Sequence, residues 1–334
     1  MYILAFETSC DDTSIALLKD NKLIAMKTHS QIKEHLKNWW VVPELAARLH
    51  SNVIFTVLDE VLKDANLDLD NINYIACTKE PGLIPSLLVW QTVAKTISKL
   101  KAIPLIWINH IEAHMFANFL ERKKSDIKFP NICLTVSGWH NEIYLWKSIF
   151  EFELIWQTLD DAAWEAFDKV SRMLWLWFPW GAFVVKKAER YEWNYDRIFP
   201  CVMLDKDSLD FSFSGLKSAV NRYVIKLKKE NLKFWKTKEE KLLESDIIKI
   251  AYEFEEVVSD ILLKKMDRAV NKLWIKNIML AWWVSANTKL KDKLTNLALK
   301  DNLDFKAPIK NIYSMDNAAM IWINAFYKIK NNIF

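Results

Sequence analysis

Twice along this chain three short apolar runs precede a helix, a strand and a second helix, and few folds are open to a chain with that order. In the first copy Tyr2–Phe6, Ser14–Lys19 and Leu23–Thr28 read as strands of an antiparallel meander, separated by polar breaks. From Pro43 to Ala65 the apolar residues Leu45, Ala46, Leu49, Val53, Val57, Leu58, Val61 and Leu62 recur three and four apart, which predicts a helix that Pro43 is suited to start. A strand at Tyr74–Thr78, a helix from Ser86 to Leu100 and a strand at Leu105–Asn109 follow. The second copy has strands at Ile132–Val136, Ile143–Lys147 and Phe152–Leu159, a helix from Leu242 to Lys272 and a strand at Asn277–Ala281. A helix at Ser285–Lys300, a strand at Asn311–Tyr313 and a closing helix over 316–330 complete it. Residues 163–241 read as a helical insertion, and its charged stretch from Lys226 to Lys241 as a solvated helix or loop. The expectation is an α/β fold of two βββαβα lobes, residues 1–104 and 105–334.

At 334 residues, 51% hydrophobic and 26% charged, the chain has the balance of a globular protein rather than a disordered or disulfide-stapled one. Cys10, Cys77, Cys133 and Cys201 are far apart with no CxxC spacing, which argues against a zinc ribbon and for a reducing compartment. The first residues lack a basic segment and meet an acid at Glu7, so they do not read as a signal peptide. No apolar run approaches the roughly 18 residues of a membrane span. A cytoplasmic protein with no membrane contact is expected. The net charge of +4 permits a nucleic-acid partner without requiring one.

One count is abnormal. The chain has 4 glycines and 17 tryptophans, where average usage of about 7% would give roughly 23 glycines. Trp39-Trp40, Trp180-Gly181 and Trp282-Trp283 stand in polar, turn-like surroundings, whereas an indole needs burial and a partner for its N–H. These tryptophans therefore read as glycine positions, in a gene whose UGA codons specify glycine in its own organism; such codons are expected at 39, 40, 139, 180, 282 and 283.

The sharpest chemical motif is His110-Ile111-Glu112-Ala113-His114, which puts two imidazoles at i and i+4 on one helix face, close enough to share a metal ion. Glu112 does not directly follow the first histidine, as the HExxH of zinc peptidases requires. A third ligand is expected at Asp316, which opens the last helix and has the N-cap as its plain alternative role. Two imidazoles and a carboxylate suit iron or zinc. Three small polar loops follow strand ends: Glu7 to Thr13, Thr135-Val136-Ser137-Gly138-Trp139-His140, and Ala281 to Asn287. Such turns hold phosphates through backbone N–H groups.

Read in order, Glu7-Thr8-Ser9-Cys10-Asp11, Val42-Pro43-Glu44-Leu45-Ala46, Pro81-Gly82-Leu83, the histidine pair, Val136-Ser137-Gly138, Glu165-Ala166-Phe167-Asp168-Lys169, Asp210 to Lys217, Val284-Ser285-Ala286-Asn287 and Asp316 to Met320 closely resemble the TsaD/Gcp family over essentially the whole chain. The resemblance implies an ASKHA fold, like actin and sugar kinases, with a ligand cleft between its lobes. It also implies transfer of a threonylcarbamoyl group from threonylcarbamoyl-AMP to the exocyclic amine of the adenosine beside the anticodon in tRNAs that read ANN codons, with release of AMP. On that resemblance His110, His114 and Asp316 hold one divalent metal, Fe2+ before Zn2+, and Thr135, Val136, Ser137, Gly138, Trp139, Asp168, Gly181 and Asn287 bind the adenylate. Asp11 is the candidate general base, and the expected partners are tRNA and the bacterial subunits TsaB and TsaE. Asp12 stands where the family has glutamate; Trp139, Trp164, Trp180, Trp282 and Trp283 stand where it has glycine. The alternatives are a small-molecule kinase of the same fold, which has no need of the histidine pair, and a metallopeptidase, which the displaced Glu112 disfavours.

Overall fold

The structure is a computed structural model that describes residues 1–20, 22–38, 40–136, 141–176, 180–193, 196–201, 208, 210–233 and 241–334. Its first elements are β1 (Tyr2–Glu7), β2 (Asp12–Lys19), β3 (Lys22–Ser30), α1 (Ile32–His35), α2 (Pro43–Ala65), β4 (Tyr74–Glu80), α3 (Ile84–Lys101), β5 (Leu105–Asn109) and α4 (His110–Phe116). The strands form one sheet in the order β3-β2-β1-β4-β5. β1 runs antiparallel to β2 and parallel to β4, so the three-strand meander passes into a crossover sheet at β1. That centre must be covered on both faces, and β1 is buried from Ile3 to Glu7. Leu4, Phe6, Ile15, Leu17, Ile75 and Cys77 point to one face and join Val57, Leu58 and Val61 of α2 and Trp90 of α3 in a single apolar cluster.

The later elements are β6 (Asn131–Val136), β7 (Asn141–Ser148), β8 (Glu151–Gln157), α5 (Ala163–Met173), α6 (Trp180–Ala188), α7 (Ser214–Lys233), α8 (Glu244–Leu273), β9 (Asn277–Ala281), α9 (Thr288–Asp301), β10 (Asp304–Lys306) and α10 (Ala318–Lys330). A second five-stranded sheet has the order β10-β9-β6-β7-β8. Three helices, α5, α6 and α7, fall within the expected insertion, and its described residues 189–193, 196–201 and 210–213 are not helical.

The chain divides into two compact units, 1–128 with 280–286 and 306–334, and 129–279 with 287–305. The contiguous boundary expected at residue 104 falls inside the first unit, because β5 extends the first sheet, α4 follows it directly, and α10 returns to pack on β1, β2 and α4. α10 is apolar nearly all round and buried from Ala318 to Ala325, as a helix enclosed by other elements must be. Its first N–H group, at Ala318, donates to Ser14 Oγ of β2 at 3.0 Å.

Two boundaries differ from expectation. Asn311–Ser314 is a turn of 3-10 helix, and the edge strand lies earlier, at Asp304–Lys306, where a three-residue run with the single apolar Phe305 is too short to read as a strand. Ser285 sits in a 3-10 turn over Trp283–Ala286; α9 starts after Asn287, whose side chain accepts from the Leu290 N–H at 2.9 Å.

Candidate metal centre

The site of the first unit begins where two strands stop. β5 ends at Asn109, whose side-chain oxygen accepts from the N–H groups of Ile111 and Glu112 at 2.9 and 3.1 Å and so caps α4. That cap turns His110 and His114 inward on one helix face, their Nε2 atoms 3.2 Å apart and both rings buried. Asp316 arrives from the other end of the chain. Asn317, not Asp316, caps α10, accepting from the Met320 N–H at 3.1 Å, and this leaves the Asp316 carboxylate to face the imidazoles. Asp316 Oδ1 lies 3.0 Å from His114 Nε2 and 3.5 Å from His110 Nε2.

Three ligand atoms within 4.8 Å of one another, two imidazole nitrogens and a carboxylate oxygen, make a donor set that fits a divalent metal ion. The outer surroundings fit as well. Glu7, at the buried end of β1, places Oε2 3.1 Å from His110 Nδ1, so a proton on Nδ1 leaves Nε2 as a lone pair for the metal. Glu7 is itself held by the Thr78 hydroxyl and the Ser9 N–H, each at 2.5 Å. Burial opposes charge on Glu7 and Asp316, but His110 overcomes it and keeps both carboxylates below their ordinary range. Burial also opposes charge on His110, which the two carboxylates raise, while it presses His114 down to about 4. Glu112 has Lys328 Nζ at 3.7 Å and is not one of the three residues of the cluster.

Glu7 was read in the sequence as the acid that ends an apolar strand and opens a small polar loop, and its part in the site depends on a contact across 103 residues. Trp282 was read as a glycine position in a loop after a strand, not as a neighbour of the histidines. Its indole stacks on His114 at 4.5 Å between ring centroids and stands edge-on to His110 at 5.2 Å, while the side chain of Trp283 hydrogen-bonds to Asp316.

Asp11 lies in the turn between β1 and β2, and Asp12 opens β2. Burial raises the Asp11 carboxyl, and burial together with Asp11 pushes Asp12 up to about 7. A directed chain of hydrogen bonds holds this turn. The Val42 N–H donates to His35 Nδ1 at 3.4 Å, His35 Nε2 to Gln31 Oε1 at 3.3 Å, Gln31 Nε2 to His50 Nδ1 at 3.1 Å, and His50 Nε2 to the Cys10 carbonyl at 3.0 Å. Thr13 Oγ1 adds a second donor to His50 Nδ1 at 2.7 Å. Burial lowers His50 to about 4, so the ring stays neutral and the direction of the chain is fixed.

In the second unit Asp168, on α5, accepts from the Gly181 N–H of α6 at 2.9 Å, and burial pushes its carboxyl to about 6. Thr135 is buried in β6 and donates to the Glu142 carbonyl at 3.3 Å; Val136 follows it, paired with Asn141. Asn287 is engaged at both ends, by its cap and by Glu255 Oε1 at 2.7 Å. Ser137, Gly138 and Trp139 lie outside the described residues.

Residues 22–323 match the family model for tRNA N6-adenosine threonylcarbamoyltransferase. The chain is 41% identical over 333 residues to a protein of that name from Thermosipho africanus, covering 100% of this chain and 96% of that one. It is 41% identical to the same-named protein of Fusobacterium nucleatum, covering 99% and 92%. Among solved structures, the full-length HypF structure matches with a TM-score of 0.60 at 12% identity, over 100% of this chain and 47% of that one. Component A of the Acidaminococcus fermentans (R)-2-hydroxyglutaryl-CoA dehydratase matches at 0.53 and 11% identity, over 99% of both. These likenesses place the duplicated α/β fold in the ASKHA class, and no helix among the described residues is long and apolar enough to cross a membrane. By sequence, over nearly its whole length, this chain belongs to the TsaD family of tRNA N6-adenosine threonylcarbamoyltransferases.

Proposed function

We propose that the chain transfers the threonylcarbamoyl group of threonylcarbamoyl-AMP to the exocyclic amine of the adenosine beside the anticodon in tRNAs reading ANN codons. The reading is carried by the buried His110–His114–Asp316 cluster in a chain of this family. The amine nitrogen bonds to the carbamoyl carbon, the bond from that carbon to the phosphate oxygen breaks, AMP leaves, and the amine proton passes to a base. Because the substrate arrives activated, the protein's task is to position it and to stabilise developing charge.

His110, His114 and Asp316 would hold one divalent metal ion, iron(II) in first place and zinc as the alternative. Such an ion supplies Lewis acidity toward an oxygen of the substrate. Glu7 orients His110. Asp11, raised by burial, is the candidate acceptor of the amine proton. Thr135, Val136, Ser137, Gly138, the residue at 139, Asp168, Gly181 and Asn287 are the proposed adenylate positions. Tying up the Asn287 side chain in its cap leaves backbone contact as its simplest role there. The partners are tRNA and the subunits TsaB and TsaE, and the compartment is the cytoplasm.

The test is reconstitution from threonine, bicarbonate, ATP, a carboxylate-activating synthase, TsaB, TsaE and unmodified tRNA, with nucleoside analysis of the digested tRNA. The chain is assayed as written and with glycine at 139, 282 and 283. Threonylcarbamoyl-adenosine is expected from the glycine form; its absence from both, with metal bound and a relative active under the same conditions, would refute the assignment.

A further inference from the structure

Three tryptophans share a backbone conformation that crowds any side chain. Trp175, Trp274 and Trp282 have φ of 56°, 58° and 74°, the left-handed region where Cβ presses on the following carbonyl and glycine alone is unstrained. Asp20, Asn66, Ala102, Glu121, Asn302 and Asn332 also lie there; Asp and Asn tolerate it through local hydrogen bonds, Ala102 carries only a methyl, and Glu121 is tied to Lys310 and Tyr313. Indoles have no such relief. Packing supplies none either at two of the sites, where Trp175 is 83% and Trp274 90% exposed.

Position 274 is the C-cap of α8, its N–H donating to the Val270 carbonyl at 2.9 Å. Helices that end this way favour glycine or asparagine; α2 and α9 end on Asn66 and Asn302, and α3 on the small Ala102. A separate observation concerns the core. Trp90 and Trp322 are 1% exposed and their indole N–H groups have no acceptor, a burden that native cores rarely carry. At 282 the strained backbone and the metal centre meet, because the same residue stacks on His114 and stands edge-on to His110.

We propose that 175, 274 and 282 are glycine positions occupied by tryptophan in this chain, and that the indole at 282 controls access to the His110–His114–Asp316 cluster. The backbone evidence is independent of the glycine count, and it extends the UGA reading to 175 and 274. With glycine at 282 the volume against the two imidazole faces opens, and the ring that holds them in their present contact is gone.

Peptide mapping by mass of the protein purified from its own organism, beside its gene sequence, decides the identity. UGA codons and glycine at 175, 274 and 282 are expected; tryptophan in any of those native peptides overturns the proposal. For the gate, the chain as written and the Trp282→Gly variant are dialysed against Zn2+ alone. Binding at least tenfold tighter in the variant is expected, and equal or weaker binding overturns control of access by 282. Trp274→Gly, far from the metal ligands in sequence, tests the strain by itself: a Tm higher by about 2–4 °C is expected, and a lower Tm overturns the left-handed argument. None of these readouts depends on threonylcarbamoyl transfer, so their failure and failure of the functional assignment are separable.

Discussion

His110 meets Glu7 at one ring nitrogen and His114 and Asp316 at the other, and its chemistry follows from that division. Removing a carboxylate that only orients a ligand typically weakens metal binding about 10- to 100-fold, so Glu7→Gln is expected to do so in dialysis against Zn2+, with far-UV circular dichroism unchanged. His114→Ala or His110→Ala should abolish stoichiometric binding, since either loss leaves two ligands; metal retained in either variant would mean these are core histidines. Asp168 permits a pH experiment away from the metal. An aspartate titrates near 3.9 when unfolded, whereas burial pushes this one to about 6. Between those values the folded chain keeps a proton that the unfolded chain has lost. The group's contribution is therefore favourable to folding at the acid end and is lost as pH rises through about 6, by at most about 3 kcal/mol. Asp168→Asn removes the titration and keeps an acceptor for Gly181. Urea denaturation should show the variant gaining on the parent between pH 4 and 7, and a pH-independent difference would exclude the mechanism.

α2 was legible to the residue, because its apolar stripe and Pro43 both survive as the helix's buried face and first turn. So was β5, an apolar strand closed by a capping asparagine. β10 was not, since Asp304, Phe305 and Lys306, three half-buried residues at a sheet edge, are too few to show a pattern and are placed by pairing with β9. The metal pair was legible because helical spacing alone brings i and i+4 together. Glu7 and the turn that carries Asp11 depended on contacts between distant segments, which a linear pattern does not encode. The Val42–His35–Gln31–His50–Cys10 chain is the clearest such case, joining the start of α2 to the β1–β2 turn. His50→Ala strands a buried carbonyl, a hydroxyl and an amide, each costing about 1–3 kcal/mol when unsatisfied. Water entry and relaxation reduce the sum, and a loss of about 2–4 kcal/mol in chemical denaturation is expected. A loss under about 0.5 kcal/mol would show that the chain does not hold the turn.

On the scale of the whole molecule, not every lysine is equally available to a polyanion. Lys169 and Lys217 both pair with Asp161, at 2.6 and 2.5 Å, which makes Lys228 and Lys229 of α7 the better candidates to meet the tRNA backbone. Electrostatic binding of a few phosphates predicts a roughly tenfold loss of tRNA affinity between 50 and 200 mM salt, measured by filter binding; salt-insensitive binding would exclude it. The first unit is built from three separate stretches of chain, and its metal ligands are split between them, with Asp316 following His114 by 202 residues. At about 5–20 residues per second of synthesis, roughly 10–40 s pass on the ribosome between the second histidine and the carboxylate. For that interval the chain carries the histidine pair without its carboxylate, and a chain stopped shortly before Asp316 lacks both the third ligand and α10.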